Sequence, residues 1–272
     1  MTTSAPELEP EIIDEEAQRA KGMLTIGEHL VEARQRLTIA ALTIVLTTVV
    51  ALIFTNQILN FLIEPGRAAD PDFRPIFTEL LGFISAYFKV GLLVGIAVAM
   101  PMVIYQGFMF VNPALEPQER RWLLPIVLLA SLSFAGGGAF AFFVAWPPAL
   151  DFLLDFGDNI ADPQIRISNY IDMLTRFVFW TGIVFETPLV LMGFGWLGVI
   201  TAHRLIRAWR WAIIGSFIIA ALITPSIDPV TQAAVAIPLI FLYGLGILLV
   251  KLVETRGLGR YRNTEIEDAE IE

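Results

Sequence analysis

The sequence predicts an all-α integral membrane protein of six transmembrane helices with both termini on the cytoplasmic side, and three observations carry that reading. Of its 272 residues, 56% are apolar and 17% charged, with a mean hydropathy of +0.68; soluble domains are far more polar. The apolar residues gather into six runs near the ~20 residues a helix needs to cross ~30 Å of hydrocarbon. Lipid offers no hydrogen bonds, so each run must satisfy its own backbone as a helix. The bases are also unevenly placed. If the N-terminal tail, the 112–121 and 198–210 connections and the C-terminal tail share one side, that side holds 13 of the 18 Lys and Arg residues. Cytoplasmic connections carry this excess.

The first run extends from Leu37 to about Phe54, the second from Phe83 to about Val111, and the third from Trp122 to Trp146, where Pro147 and Pro148 are expected to stop it. The second is longer than the bilayer requires, and Pro101 predicts a kink or tilt. The fourth runs from about Met173 to Leu197, the fifth from about Leu205 to Ile223 and the sixth from about Thr231 to Val250. The fifth and sixth are expected to be short. From Trp211 to Ile223 the chain is uncharged, and at ~1.5 Å per residue this covers only about 20 Å. One membrane domain, 24–250, is therefore expected between two acidic cytoplasmic tails, 1–23 and 251–272. The tails resemble disordered, solvating segments, and residues 1–23 and 254–272 hold most of the formal charge of -9.

Several function classes are excluded at this stage. Without cysteine there is no disulfide, thiolate metal site or Cys nucleophile. No basic surface for nucleic acid stands out, and no Walker-type phosphate loop, HExxH helix or GxSxG elbow is present. No cofactor is expected.

Four places break the apolar pattern. Before the first run, Ile26, Leu30, Ala33 and Leu37 share one helical face and Glu28, Glu32 and Arg36 another. Such an amphipathic helix can be an interfacial anchor, with Arg34 and Arg36 following the charge rule. In the 112–121 turn, Pro117 suits the start of the third helix and Glu119 its first turn, where an acid complements the helix dipole. Glu119 is nevertheless a second carboxylate, besides Glu32, amid the bases of that side, and two carboxylates can receive two guanidinium forks. In the fourth run, Glu186 stands beside Pro188. An ionised carboxyl at that depth costs roughly 2.5–3.5 kcal/mol, so it should face a protein interior, a wet cavity or a partner. Pro188 frees the carbonyl of Val184 and predicts a kink. Lastly, Asp228 suits an N-cap followed by Pro229 at the start of the sixth helix, with Gln232 one turn further. Gly136, Gly137 and Gly138 predict close helix packing.

Taken together, these stretches resemble the TatC family, the multi-spanning subunit of the twin-arginine protein translocase. The carriers are His29-Leu30 with Glu32, Arg34, Arg36 and Leu37; Tyr105-Gln106 and Phe110 ahead of Pro113-Ala114-Leu115; Glu119-Arg120-Arg121; Phe185-Glu186 with Pro188; and Thr224-Pro225 with Asp228 and Gln232. The resemblance runs from His29 to about Val250, with Ala33 where the family usually has Leu. It implies a receptor in the cell membrane for folded proteins bearing twin-arginine signal peptides, with export driven by the proton-motive force and no chemistry performed by the chain. Signal binding would fall to Glu32, Arg34, Phe110, Glu119, Arg120 and Arg121. Glu186, Asp228 and Gln232 would be intramembrane or outer contacts for the signal or for small single-span subunits of the TatA and TatB type, alongside self-association. The alternative is a proton-coupled small-solute transporter using Glu186.

Overall fold

The computed structural model describes residues 26–69, 73–76, 78–111, 123–155, 164–224 and 229–255. Both proposed tails lie almost wholly outside them. Long apolar runs with few breakers give α1 (Ile26–Ala69), α2 (Gly82–Val111) and α3 (Leu123–Phe140). A single π-helical turn, Ala141–Ala145, leads into α4 (Trp146–Asp155), followed by α5 (Ile167–Phe185), α6 (Thr187–Trp196), α7 (Ala202–Arg207), α8 (Trp209–Ile223) and α9 (Pro229–Thr255). Five stretches are long and apolar enough to cross a membrane: α1, α2, α3 continued through α4, α5 continued through α6, and α9. A sixth apolar helix, α8, is shorter, at 15 residues.

Two expectations are corrected. The third run does not stop at Pro147-Pro148 but continues to Asp155. The reason is the π turn ahead of it: the Trp146 N–H pairs with the Ala141 carbonyl five residues back, so Pro147 and Pro148 enter the first turn of a renewed helix, where a missing N–H costs nothing. The sixth helix is also not short. It has 27 residues, from Pro229 to Thr255, because Lys251 and Glu254 extend it by a polar turn beyond the apolar stretch, and Glu254 is held there by a contact with α7 described below.

The helices pack in two groups. One joins α1 to α2, and both α2 and α3 to α5; in the other, α9 lies against α6 and α8. The core centres on Trp146, Phe177, Ile171 and Leu174, each almost wholly enclosed. Trp146 donates its indole N–H to the Tyr170 hydroxyl (3.3 Å), which donates to the Leu62 carbonyl of α1 (2.8 Å). A chain of two buried hydrogen bonds thus ties α1, α4 and α5 together. Beside it, the segment before α2 pairs with the start of α5 through Ile76 N–H to Ile165 O (2.9 Å) and Ile167 N–H to Ile76 O (2.8 Å). Of the three consecutive glycines, Gly137 permits the closest approach: a Cβ there would stand 2.7 Å from the Phe185 Cβ and 3.0 Å from the Gly182 Cα. The outer surface is apolar where lipid would lie, with Leu42, Val45, Leu46, Val49 and Ile53 all exposed along α1.

Candidate functional site

At the start of α1 the amphipathic pattern is turned inside out. Leu30 is 65% and Leu37 72% exposed, while the side chains of Glu32 and Arg36 are only 22% and 23% exposed. A surface in contact with lipid takes the apolar stripe and leaves the charged stripe to the protein. Arg36 donates to Glu32 Oε1 from Nε (3.0 Å) and Nη2 (2.6 Å), and from Nη1 to the Gln106 side-chain oxygen on α2 (3.3 Å). One guanidinium therefore joins a carboxylate one turn back on its own helix to an amide on the neighbour. His29, on the same face of α1, stacks on Phe110 near the end of α2, with ring centroids 4.3 Å apart and planes 25° apart. The two contacts clamp the ends of α1 and α2.

Chemically, this is a carboxylate with one oxygen occupied. Glu32 Oε2 accepts no hydrogen bond among the described residues, and carboxylates bind guanidinium forks through both oxygens. Arg34 is exposed; two residues from both Glu32 and Arg36, it lies about 200° round the helix from them and does not join their cluster. Glu119, Arg120 and Arg121 lie outside the described residues. The connection that carries them departs from Val111, the last residue of α2, next to Phe110.

The second polar position is the break between α5 and α6. Glu186 is half-buried and stands between the two helices with φ -72° and ψ -14°, its N–H directed to the Ile183 and Val184 carbonyls. Pro188 stands in the first turn of α6, directly after the interruption of the helix at Glu186. The Ser133 hydroxyl on α3 donates to the Phe185 carbonyl (2.7 Å). Glu186 Oε1, by contrast, is buried with no hydrogen-bond partner among the described residues. Gln232 lies half-buried in the first turn of α9, and Asp228 lies outside the described residues.

Sequence reasoning missed the roles of Arg36, Gln106 and His29. The i,i+4 spacing pointed to the Glu32–Arg36 pair, and a lone amide at Gln106 in an apolar run was a usable signal. Their meeting across 70 residues was not visible in the sequence.

The family model for the Sec-independent protein translocase protein (TatC) matches residues 28–238. The TatC protein of Carboxydothermus hydrogenoformans is 31% identical over 233 residues, spanning 86% of this chain and 95% of that protein. The chloroplastic TATC protein of Arabidopsis thaliana is 32% identical over 229 residues, 84% of this chain and 67% of that one. A crystal structure of a twin-arginine translocase receptor, TatC, matches with a TM-score of 0.74 at 34% identity, covering 84% of this chain and all of that one. The chain therefore belongs to the TatC family: it is a multi-pass membrane protein, the receptor subunit of the twin-arginine translocase, and not an enzyme.

Proposed function

We propose that this receptor reads the paired arginines of a signal peptide with two carboxylates, Glu32 and Glu119, at the end of the bundle where α1 and α2 are clamped. The observation that carries the reading is Glu32 itself, a partly enclosed carboxylate with Oε2 open. The connection bearing Glu119 leaves α2 one residue after Phe110, whose ring touches His29 in the turn before Glu32. Phe110 excludes water from the site, which raises the value of each ion pair above the ~0–1 kcal/mol of an exposed one. Arg34, Arg120 and Arg121 take part in signal binding in this reading, as the family resemblance implies.

In this reading the domain spans 24–250 and crosses the membrane six times with both ends cytoplasmic, in the cell membrane, as the 13-to-5 division of bases supports. Glu186, Asp228 and Gln232 contact the signal or small single-span subunits, and copies of the chain associate with one another.

The test is a binding cycle with purified protein and cargo bearing Arg-Arg or Lys-Lys signals. Wild type should prefer Arg-Arg, because a point charge cannot reproduce the fork. Glu32→Ala and Glu119→Ala should each weaken binding about tenfold or more, in line with ~1.5–3 kcal/mol for a hydrogen bond to a charged group. A double variant that keeps the full Arg-Arg preference would exclude these carboxylates as the reader. Because the chain has no native cysteine, single cysteines at Ala5, Ala69, Ala161 and Ala269 report the topology directly. Reagent added outside should reach only Ala69→Cys and Ala161→Cys.

A further inference from the structure

Lys89 of α2 and Asp172 of α5 form an ion pair between their helices. One turn along α5, on the same face as Asp172, Arg176 is exposed and makes no ion pair or hydrogen bond among the described residues. The three charges border a cavity of about 260 Å³ whose other walls include Leu92, Leu93, Ile96 and Phe179. Arg176 is not at the membrane edge. In the span Ile167–Trp196 it lies about 8 Å from the midpoint at ~1.5 Å per residue, within the ~15 Å half-thickness of the hydrocarbon.

A guanidinium at that depth requires a counter-charge or a path to the interface. Asp172 is engaged by Lys89, so the cluster keeps one net positive charge, and that charge is a planar fork suited to phosphate oxygens. Its long side chain can extend towards the headgroup level. Directly below the charges the cavity is apolar, as an acyl chain requires. We propose that this groove between α2 and α5 is a phospholipid site, in which Arg176 holds the headgroup phosphodiester and an acyl chain lies against Leu92, Leu93, Ile96 and Phe179. The Lys89–Asp172 pair sets the charge of the site. With Lys89 neutralised, one positive group faces one phosphodiester. Neither Glu32 nor Glu186 lines the groove, and the proposal does not depend on how signals are read.

The test is native mass spectrometry of the delipidated chain in detergent, titrated with dioleoylphosphatidylglycerol. Dioleoylglycerol, which lacks the phosphate, and inorganic phosphate, which lacks the chains, serve as parallel arms. Wild type should take up one phosphatidylglycerol ahead of the non-specific series, and neither of the other probes with similar affinity. Arg176→Gln should weaken that uptake about tenfold and Arg176→Lys by less, since lysine keeps the charge but not the fork. Asp172→Asn frees the Lys89 ammonium for the same phosphate and should tighten uptake. This variant decides the question even if Arg176→Gln does not fold. Unchanged binding in Arg176→Gln, weaker binding in Asp172→Asn, or inorganic phosphate binding as tightly as the lipid would each overturn the assignment.

Discussion

Two carboxylates among the described residues, Glu32 and Glu186, are treated in opposite ways. Glu32 gives one oxygen to Arg36, which in turn reaches Gln106 on the next helix, so the polar groups form a nearly closed set. Glu186 keeps a buried oxygen without a partner among the described residues, although the surrounding backbone is satisfied by Ser133 and by the helix break itself. An internally paired carboxylate holds two helices together. An unpaired one weakens its surroundings until something outside the bundle meets it. Removing charge should therefore act with opposite sign at the two places.

The largest effect is expected from Arg36→Ala, which leaves Glu32 partly enclosed without its guanidinium. Thermal unfolding in detergent should show a loss of about 2–3 kcal/mol. The Glu32→Ala, Arg36→Ala double variant should recover part of that loss, because the stranded charge is gone. A single variant as stable as wild type would mean that the pair does not hold α1 to α2.

Glu186→Leu should move the other way. Replacing an unsatisfied buried oxygen with an apolar side chain should stabilise the isolated chain by about 1 kcal/mol. Glu186→Gln should lie nearer wild type. If the small single-span subunits use this position, the same Leu variant should retain less of them on co-purification, so stability and assembly would part company. Destabilisation by Glu186→Leu would show that the carboxyl is already satisfied within the bundle and would break the contrast.

The smallest change belongs to Gln106→Leu. Its contact with Arg36 is 3.3 Å long and the Glu32–Arg36 pair survives without it, so the cost should be about 0.5–1 kcal/mol by the same unfolding measurement. A loss as large as that of Arg36→Ala would place the weight of the clamp on the amide instead.

Most of the helical plan was legible because the lipid rule acts on whole runs of residues. The apolar stretches, the helix break beside Pro188 and the brevity of the helix ending at Ile223 all follow from local composition. The stripes of the amphipathic helix were legible too, but not their direction. Periodicity separates two faces, yet does not say whether lipid or protein takes the apolar one, so the inward turn of Glu32 and Arg36 needed the structure. Pro147 and Pro148 read as a stop because the π turn that precedes them leaves no mark of its own in the residues Ala141–Ala145. The extent of the last helix was missed for a related reason, since the contact that retains Glu254 lies 52 residues away in the chain. In the site, Glu32, Phe110 and Glu186 stood out singly, whereas the partners Gln106 and Ser133 came from other helices and only the fold could supply them.

The contact that retains Glu254 sets an order of events in biogenesis. Glu254 Oε1 accepts the Ala202 N–H (2.8 Å), and in the same helix the Tyr243 hydroxyl donates to the Leu205 carbonyl (2.9 Å). The first-turn donor and a carbonyl of α7 are thus satisfied by residues translated well after α7 itself. Until α9 is made, the Ala202 N–H lacks its carboxylate acceptor, while the Leu205 carbonyl already receives the Ala208 N–H within the chain's own turn. The last contact of α7 therefore forms only when the end of α9 is in place, so a chain shortened before Glu254 is expected to hold α7 less firmly than the full-length protein.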